Sequence, residues 1–322
     1  MSKSKIEWTD AVWNPVTGCS KISPGCQNCY AERMAKRLVG RCGYLNDEPF
    51  KVTLHPNRLD LPQKWRTPRR IFVNSMGDLF HPDVPSEWIE RVWQTILATD
   101  KHTYLILTKR PDRMRQLVGS SPELLLTENI WLGVTAENQA AADERIPILL
   151  QIPASVRFVN VEPCLGPVDL NRWLKETCTQ CGGIGRVPNH PHIPSHQCPR
   201  CKGTGKVYYP RLNWVICGGE SGPGGRPMHP DWARSLRDQC QAAGVPFLFK
   251  QWGEWAPFYD RDKDDPDWRD VPKEKPGVCR INLDGGCGFH GERVVYFRRF
   301  GKKKAGRILD GRTWDEFPVM KT

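Results

Sequence analysis

The chain has 322 residues, of which 39% are hydrophobic and 10% aromatic, and this composition predicts a globular protein rather than a disordered one. No apolar run approaches the ~18 residues of a membrane span, and the first residues lack the apolar core of a secretory signal, so we expect a cytoplasmic protein. The net charge of +11 favours a nucleic acid or another polyanion as partner, although solubility alone also explains it.

A stretch near the start of the chain holds Cys19, Cys26 and Cys29 in the spacing C-x6-C-x2-C. Glycines and prolines between them predict a loop, and a helix is expected over about 30–39. Thiolate is the preferred ligand of iron–sulfur clusters, and three thiolates leave one iron of a [4Fe–4S] cluster open to a substrate or cofactor. The alternatives are half of a zinc site and a set of buried structural cysteines.

Short apolar runs alternate with helical segments along the chain up to residue 252. We predict that they are buried strands, with one beginning at 70 and others over 103–108, 130–135, 156–161, 213–217 and 245–252. Residues 11–15 add a further candidate strand. Such runs, separated by helices, indicate a parallel sheet covered on both faces. We therefore predict an α/β protein with a partial (β/α) TIM-like barrel, and a doubly wound open sheet is the alternative.

Polar residues follow each predicted strand at the point where the strand ends. The carboxyl ends of parallel strands meet at one edge, so we expect these side chains to line one pocket. Lys109, Arg110 and Lys250 are predicted to bind a substrate phosphate or carboxylate, and Glu162 and Glu220 to act as polar anchors or proton carriers. Each residue alone is as easily a helix cap, but convergence of several strand ends favours a catalytic pocket.

A segment between the predicted strands at 156–161 and 213–217 interrupts the alternating pattern. It carries two C-x2-C pairs separated by sixteen residues, and their members are Cys178, Cys181, Cys198 and Cys201. Four thiolates in this spacing predict a tetrahedral Zn²⁺ site, with a second iron–sulfur cluster as the alternative. Each half also resembles part of the zinc-binding module of DnaJ-type chaperones.

The pattern changes again after residue 252. Apolar runs at 294–297 and 308–314 predict a small strand pair, and the basic run 298–304 between them is either a phosphate contact or a solvated hairpin tip. The predicted organisation is a barrel over 1–252, an inserted zinc module over 176–210 and a C-terminal extension over 253–322.

The three-cysteine loop resembles the cluster loop of the radical S-adenosylmethionine (radical SAM) enzymes, in which an aromatic residue often follows the last cysteine, as Tyr30 follows Cys29 here. The first gap holds six residues where three are commonest in that superfamily. The whole chain more closely resembles a phage and prophage family of unknown function with the same Trp-Asn-Pro-x-x-Gly-Cys block, which implies the cytoplasm of a bacterial host. These resemblances imply a partial barrel with a [4Fe–4S] cluster that cleaves S-adenosylmethionine by one-electron reduction.

The radical SAM resemblance also implies roles for residues that follow two of the strands. Ser75, Gly77 and Asp78 would contact the methionine part of S-adenosylmethionine, with Asp78 accepting from its ammonium, and Glu137 and Asn138 would contact the ribose. An electron donor such as flavodoxin or ferredoxin is implied as a partner, with a nucleic acid or nucleotide as substrate. The rival hypothesis is a non-catalytic, zinc-stapled nucleic-acid-binding phage protein. A barrel hydrolase is a third possibility that no motif supports.

Overall fold

The computed structural model describes residues 4, 6–119, 127–175, 186–187, 196–198, 202–204, 210–261, 272–273, 275–288 and 294–319. The strands among them are β1 (Ala11–Trp13), β2 (Val16–Thr17), β3 (Thr53–Leu54), β4 (Arg70–Val73), β5 (Thr103–Thr108), β6 (Ile130–Thr135), β7 (Val156–Val161), β8 (Arg186–Val187), β9 (His196–Gln197), β10 (Trp214–Gly218), β11 (Phe247–Gln251), β12 (Trp255–Arg261), β13 (Val278–Ile281) and β14 (Val294–Arg299). The α-helices are α1 (Tyr30–Arg37), α2 (Ser86–Leu97), α3 (Pro111–Gly119), α4 (Gln139–Leu149), α5 (Asn171–Leu174), α6 (Pro230–Ala243) and α7 (Lys302–Ala305).

The main sheet has seven parallel strands in the order β1-β4-β5-β6-β7-β10-β11. Its strands follow one another in space in the same order as in the chain, with α2, α3, α4 and α6 among the crossover helices. A doubly wound sheet reverses its strand order at a switch point, and this sheet has no reversal. Because β1 and β11 lie at opposite edges, the barrel is open, and the predicted partial TIM-like barrel is confirmed.

The curvature of the sheet is evident from the contacts of Trp8. Its ring centroid lies 4.6 Å from that of Phe72 in β4 and 6.2 Å from that of Trp214 in β10. Those strands are four spacings apart, which is about 19 Å in a flat sheet. Gly133 in β6 leaves room for the Phe158 ring, which a Cβ at this position would approach to 2.4 Å. Aromatic side chains therefore fill the concave face, and the polar strand ends lie beyond them.

The convex face of the sheet packs against the helices in a second apolar cluster. Ile71 and Val73 alternate with the inward side chain of β4, and both are buried in this cluster. Helix α2 contributes Ile89, Val92 and Ile96, whose spacing of three and four places them on one stripe of the helix. None of the helices in the described part of the chain is both long enough and apolar enough to cross a bilayer.

The C-terminal extension forms an antiparallel sheet in the order β12-β14-β13. The predicted pairing of 294–297 with 308–314 is wrong, because β14 lies between β12 and β13. Residues after 308 instead cover the edge of β11, where the Phe249 amide donates to the carbonyl of Trp314 at 2.9 Å. Covering this edge satisfies backbone groups that an edge strand otherwise exposes.

The inserted cysteine segment is described only in part. Cys178, Cys181 and Cys201 lie outside the described residues, and Cys198 is buried. Strands β8 and β9 pair antiparallel within the segment. The zinc site therefore stays a prediction.

Candidate active site

The three-cysteine loop follows β1 and is fixed at the carboxyl edge of the main sheet. The Gly18 amide donates to the carbonyl of Met76, just after β4, at 2.9 Å, and the Cys19 amide donates to the carbonyl of Phe50 at 3.1 Å. Gly18 has a φ of +89°, and a Cβ there would lie 2.1 Å from the carbonyl oxygen of Lys51. Only glycine fits this approach, so the loop starts where the sequence predicts the pocket.

The Trp-Asn-Pro block ties the loop to the end of β4. Trp13 is fully buried, and its Nε1 donates to the carbonyl of Arg58 at 2.7 Å. The Asn14 Oδ1 accepts from the Met76 amide at 3.1 Å and from the Ser75 hydroxyl at 3.3 Å. Ser75, predicted to bind a cofactor, thus also holds the first turn of the loop in position.

Asp78 and Arg110 connect the ends of β4 and β5 to the first cysteine. The buried Asp78 carboxylate accepts from the Thr108 hydroxyl at 2.8 Å and from Arg110 Nη1 at 3.2 Å. Arg110 also donates to Cys19 Sγ at 3.4 Å and to the Ser20 hydroxyl at 2.9 Å. Burial raises the pKa of Cys19 to about 11, and the charge of Asp78 adds to the rise while Arg110 opposes it. Asp78 therefore orients Arg110. The contact of Asp78 with a cofactor ammonium stays a prediction.

Glu137, at the end of β6, supports the middle of the loop. It is fully buried, and its Oε2 accepts from Arg145 Nη1 at 2.9 Å. A Cβ at Gly25 would come within 3.1 Å of the Glu137 carboxyl carbon, so the loop packs directly on this side chain. Burial raises the pKa of Glu137, but the Ser23 hydroxyl and Arg145 outweigh it, and the net pKa is lowered. Asn138 caps α4 with its side-chain oxygen.

Lys109, at the end of β5, acts on the second cysteine. Burial raises the pKa of the Cys26 thiol, but the Lys109 charge and hydrogen bonds from Ile22 and Ser23 outweigh burial, and the net pKa is lowered. The thiolate is the form that binds iron. Lys109 therefore favours the metal-binding state of this side chain.

Glu220 holds the far side of the loop from the end of β10. Its Oε2 accepts from Asn28 Nδ2 at 2.9 Å and from Arg226 Nε at 2.7 Å, and its Oε1 accepts from Arg226 Nη2 at 2.7 Å. Arg226 Nη2 also donates to the carbonyl of Pro24 at 3.0 Å. Burial raises the pKa of Glu220, but the bonds from Arg226 and Asn28 outweigh it, and the net pKa is lowered. The loop therefore spans the mouth of the barrel, held at the ends of β4 and β10.

Glu162 and Lys250 form an ion pair inside the mouth, between β7 and β11. Lys250 Nζ donates to Glu162 Oε2 at 2.9 Å, and Gln251 Nε2 donates to Oε1 at 3.1 Å. A Cβ at Gly218 would lie 3.3 Å from the Glu162 carboxyl carbon, so the pair fills the space above this glycine. Burial raises the pKa of Glu162, but Lys250 outweighs it, and the net pKa is lowered. The structure thus brings two predicted catalytic residues into contact.

Three buried acceptor oxygens near these strand ends make no hydrogen bond of normal geometry within the described part of the chain. They are Glu137 Oε1, Asn160 Oδ1 and Gln251 Oε1. A buried acceptor left without a donor costs about 1–3 kcal/mol, and a bound molecule that carries donors would remove this cost. Asn160 and Glu137 are 5% and 0% exposed. These atoms fit a site that is completed by a polar ligand.

The donor set of the loop fits an iron–sulfur cluster. Cys19, Cys26 and Cys29 are free thiols of intermediate burial, and Cys29 immediately precedes the first residue of α1. Among the described residues, no three His, Cys, Asp or Glu side chains converge on the position of a single ion. Each cysteine of a cluster binds a different iron, so a cluster does not require such convergence.

Sequence reasoning missed several residues that position the loop. Asn28, Arg145 and Arg226 carry no local signal, and Asn28 meets Glu220 across 192 positions of the chain. Asn160 did carry a signal, because it is a polar residue that follows the apolar Val156 and Phe158 on the inward face of β7. A polar residue near the carboxyl end of a buried strand marks a candidate site residue.

Comparison with known proteins identifies the family. A family model described as Protein of unknown function (DUF5131) matches residues 3–318, which is nearly the whole chain. The chain belongs to this family. A comparison with curated proteins found no match. Among solved structures, the chain is similar to a mutant of spore photoproduct lyase, with 12% identity and a TM-score of 0.41 over 92% of this chain and 71% of that one. A likeness this weak does not define an activity.

Proposed function

We propose that this member of the family is a radical SAM-like iron–sulfur enzyme that modifies or repairs a nucleic acid or a nucleotide-type substrate. The observation that carries the proposal is the three-cysteine loop held across the polar mouth of a partial barrel. Cys19, Cys26 and Cys29 would hold a [4Fe–4S] cluster with one open iron. When bound, such a cluster supplies the electron that cleaves S-adenosylmethionine, while the protein binds, orients and excludes water.

Residues at the ends of β4 and β6 are proposed to bind S-adenosylmethionine. Ser75, Gly77 and Asp78 lie beside the start of the loop, and a Cβ at Gly77 would approach the Gly18 carbonyl oxygen to 2.8 Å. Glu137 offers a buried oxygen without a normal hydrogen bond, which suits a ribose hydroxyl. The Asn138 side-chain oxygen caps α4, so the Nδ2 donor of this side chain is the group left to bind a ligand.

The deeper part of the mouth is proposed to bind the substrate. Lys250 and Glu162 are each 15% exposed, so a ligand can reach both members of the pair. Lys109 adds a positive charge on the side of the cysteine loop. The net charge of +11 supports a polyanionic substrate and an acidic electron donor such as flavodoxin or ferredoxin.

The test is metal analysis of anaerobically reconstituted protein, with electron paramagnetic resonance before and after addition of S-adenosylmethionine. We expect about four irons per chain in the loop and a signal that shifts with S-adenosylmethionine. Cys26→Ala should abolish that signal. Cys42→Ala should keep it, because Cys42 is an exposed cysteine outside the loop. Zinc without iron uptake would contradict the proposal and favour the zinc-stapled binding protein.

A further inference from the structure

One surface of the C-terminal extension combines exposed aromatic rings with positive charge. The Arg298 guanidinium lies over two rings, 4.7 Å from the centroid of Phe258 and 5.9 Å from that of Phe300. Phe258 is 37% exposed and Phe300 is 38% exposed. Neither ring is needed to fill a core, since the buried side chains of β14 include Phe297 on the other face. Two partly exposed aromatic rings therefore lie on either side of one cation.

Exposed lysines of α7 follow this surface along the chain. Lys303 and Lys304 are exposed, and only Gly301 and Lys302 separate them from Phe300 in the chain. Lys302 itself forms an ion pair with Glu7 at 3.5 Å. We define the aromatic-basic patch as Phe258, Arg298, Phe300, Lys303 and Lys304.

The aromatic-basic patch is linked to the mouth of the barrel through the backbone. The Phe300 amide donates to the carbonyl of Glu254 at 3.1 Å, and the Glu254 amide donates to the carbonyl of Glu220 at 2.8 Å. Glu254 Oε2 also accepts from the Gly222 amide at 2.9 Å. Because Glu220 holds the far side of the cysteine loop, a molecule bound on the patch lies beside the candidate active site.

We infer that the aromatic-basic patch binds single-stranded nucleic acid and delivers it to the mouth of the barrel. Aromatic faces with an adjacent arginine stack unpaired bases without regard to sequence, and lysines contact the phosphates. Duplex bases are already stacked on one another, so a single strand is the form that these rings accept. The inference rests on the proposed function only for the chemistry after binding, because binding itself requires no cluster.

The experiment measures fluorescence anisotropy of a labelled single-stranded DNA of mixed sequence, and of its duplex, with the full-length protein over a range of salt concentrations. Phe300→Leu should weaken single-strand binding about tenfold, since one stacked base contributes about 1–3 kcal/mol. Lys303→Gln with Lys304→Gln should reduce the slope of log affinity against log salt by about 1.4, or about 0.7 per phosphate contact. Lys64→Gln with Lys101→Gln is the control, because it removes the same charge from exposed positions outside the patch.

The outcomes separate this inference from the proposed function. The inference would be overturned if the control pair weakened single-strand binding as much as the lysine pair of the patch, or if the duplex bound with the same affinity as the single strand. An unchanged affinity of Phe300→Leu for the single strand would also overturn it. Unfolding midpoints of the variants show whether a loss of binding reflects a loss of folding. Binding without iron uptake would refute the proposed enzyme and keep the patch. A paramagnetic resonance signal that shifts with S-adenosylmethionine, in a protein that does not bind single-stranded DNA, would support the proposed enzyme and refute the patch.

Discussion

Replacing Arg226 with methionine removes the cation that holds the far side of the cysteine loop. The guanidinium makes three hydrogen bonds of 2.7–3.0 Å to Glu220 and Pro24, and a longer one of 3.2 Å to Gln27. Methionine keeps the apolar stem and the backbone amide that donates to Glu220 at 2.9 Å. The substitution therefore removes the charge and its bonds without opening a large cavity.

The expected cost follows from the burial of the two partners. The Glu220 side chain is 5% exposed and that of Arg226 is 31% exposed. Breaking a fully buried ion pair lowers the free energy of unfolding by about 3–5 kcal/mol, whereas an exposed pair contributes about 0–1 kcal/mol. For this half-buried pair we therefore expect a loss of about 2–3 kcal/mol. Unfolding entropy near 2.1 cal/mol/K per residue amounts to about 0.7 kcal/mol/K for this chain, so the thermal midpoint should fall by about 3–4 °C.

The assay is thermal unfolding of the protein without metal, followed by the rate of iron loss after reconstitution. Arg172→Met is the matched control, since the partners in its pair with Asp143 are 56% and 47% exposed and should contribute under about 1 kcal/mol. Adding Glu220→Gln to Arg226→Met should recover part of the loss, because no buried charge is then left unpaired. A thermal midpoint for Arg226→Met within 1 °C of that of the control would refute the expected cost, and an unchanged rate of iron loss would refute the role of the Arg226–Glu220 pair in holding the loop.

Three further predictions concern the barrel and the loop. Gly133→Ala should cost about 1–3 kcal/mol of unfolding free energy because its methyl overlaps the Phe158 ring, whereas Gly166→Ala, with open space around it, should leave the denaturation midpoint unchanged. Burial lowers the pKa of His55 to about 4; the unfolded chain therefore binds the extra proton first, and stability should fall by up to about 3 kcal/mol from pH 6.5 to 4. His55→Gln should flatten that part of the profile, and an unchanged slope would contradict this assignment. Arg110→Gln removes a charge and a hydrogen bond from a cysteine of the loop, so the midpoint potential of the reconstituted cluster should become more negative; an equal or higher potential would argue against it.

The pattern of apolar runs was sufficient to predict the main sheet. The strands at 103–108, 130–135 and 156–161 have the predicted bounds, because strands buried on both faces consist mostly of apolar residues. The predicted pairing of 294–297 with 308–314 was wrong because the partner of a short strand depends on which other strand lies next to it in the folded protein. Local sequence does not specify that choice.

The sequence by itself determined the series of parallel strands and helices, the position of the cysteine loop after its first strand, and the line of polar residues along one edge. These features depend on periodicity and chain order, which are local. Only the tertiary structure decided what holds the loop. Glu220 meets Asn28 across 192 residues, and Arg110 meets Cys19 across 91. Such pairs are selected by the curvature of the sheet, which brings distant strand ends together, and no local pattern carries that information.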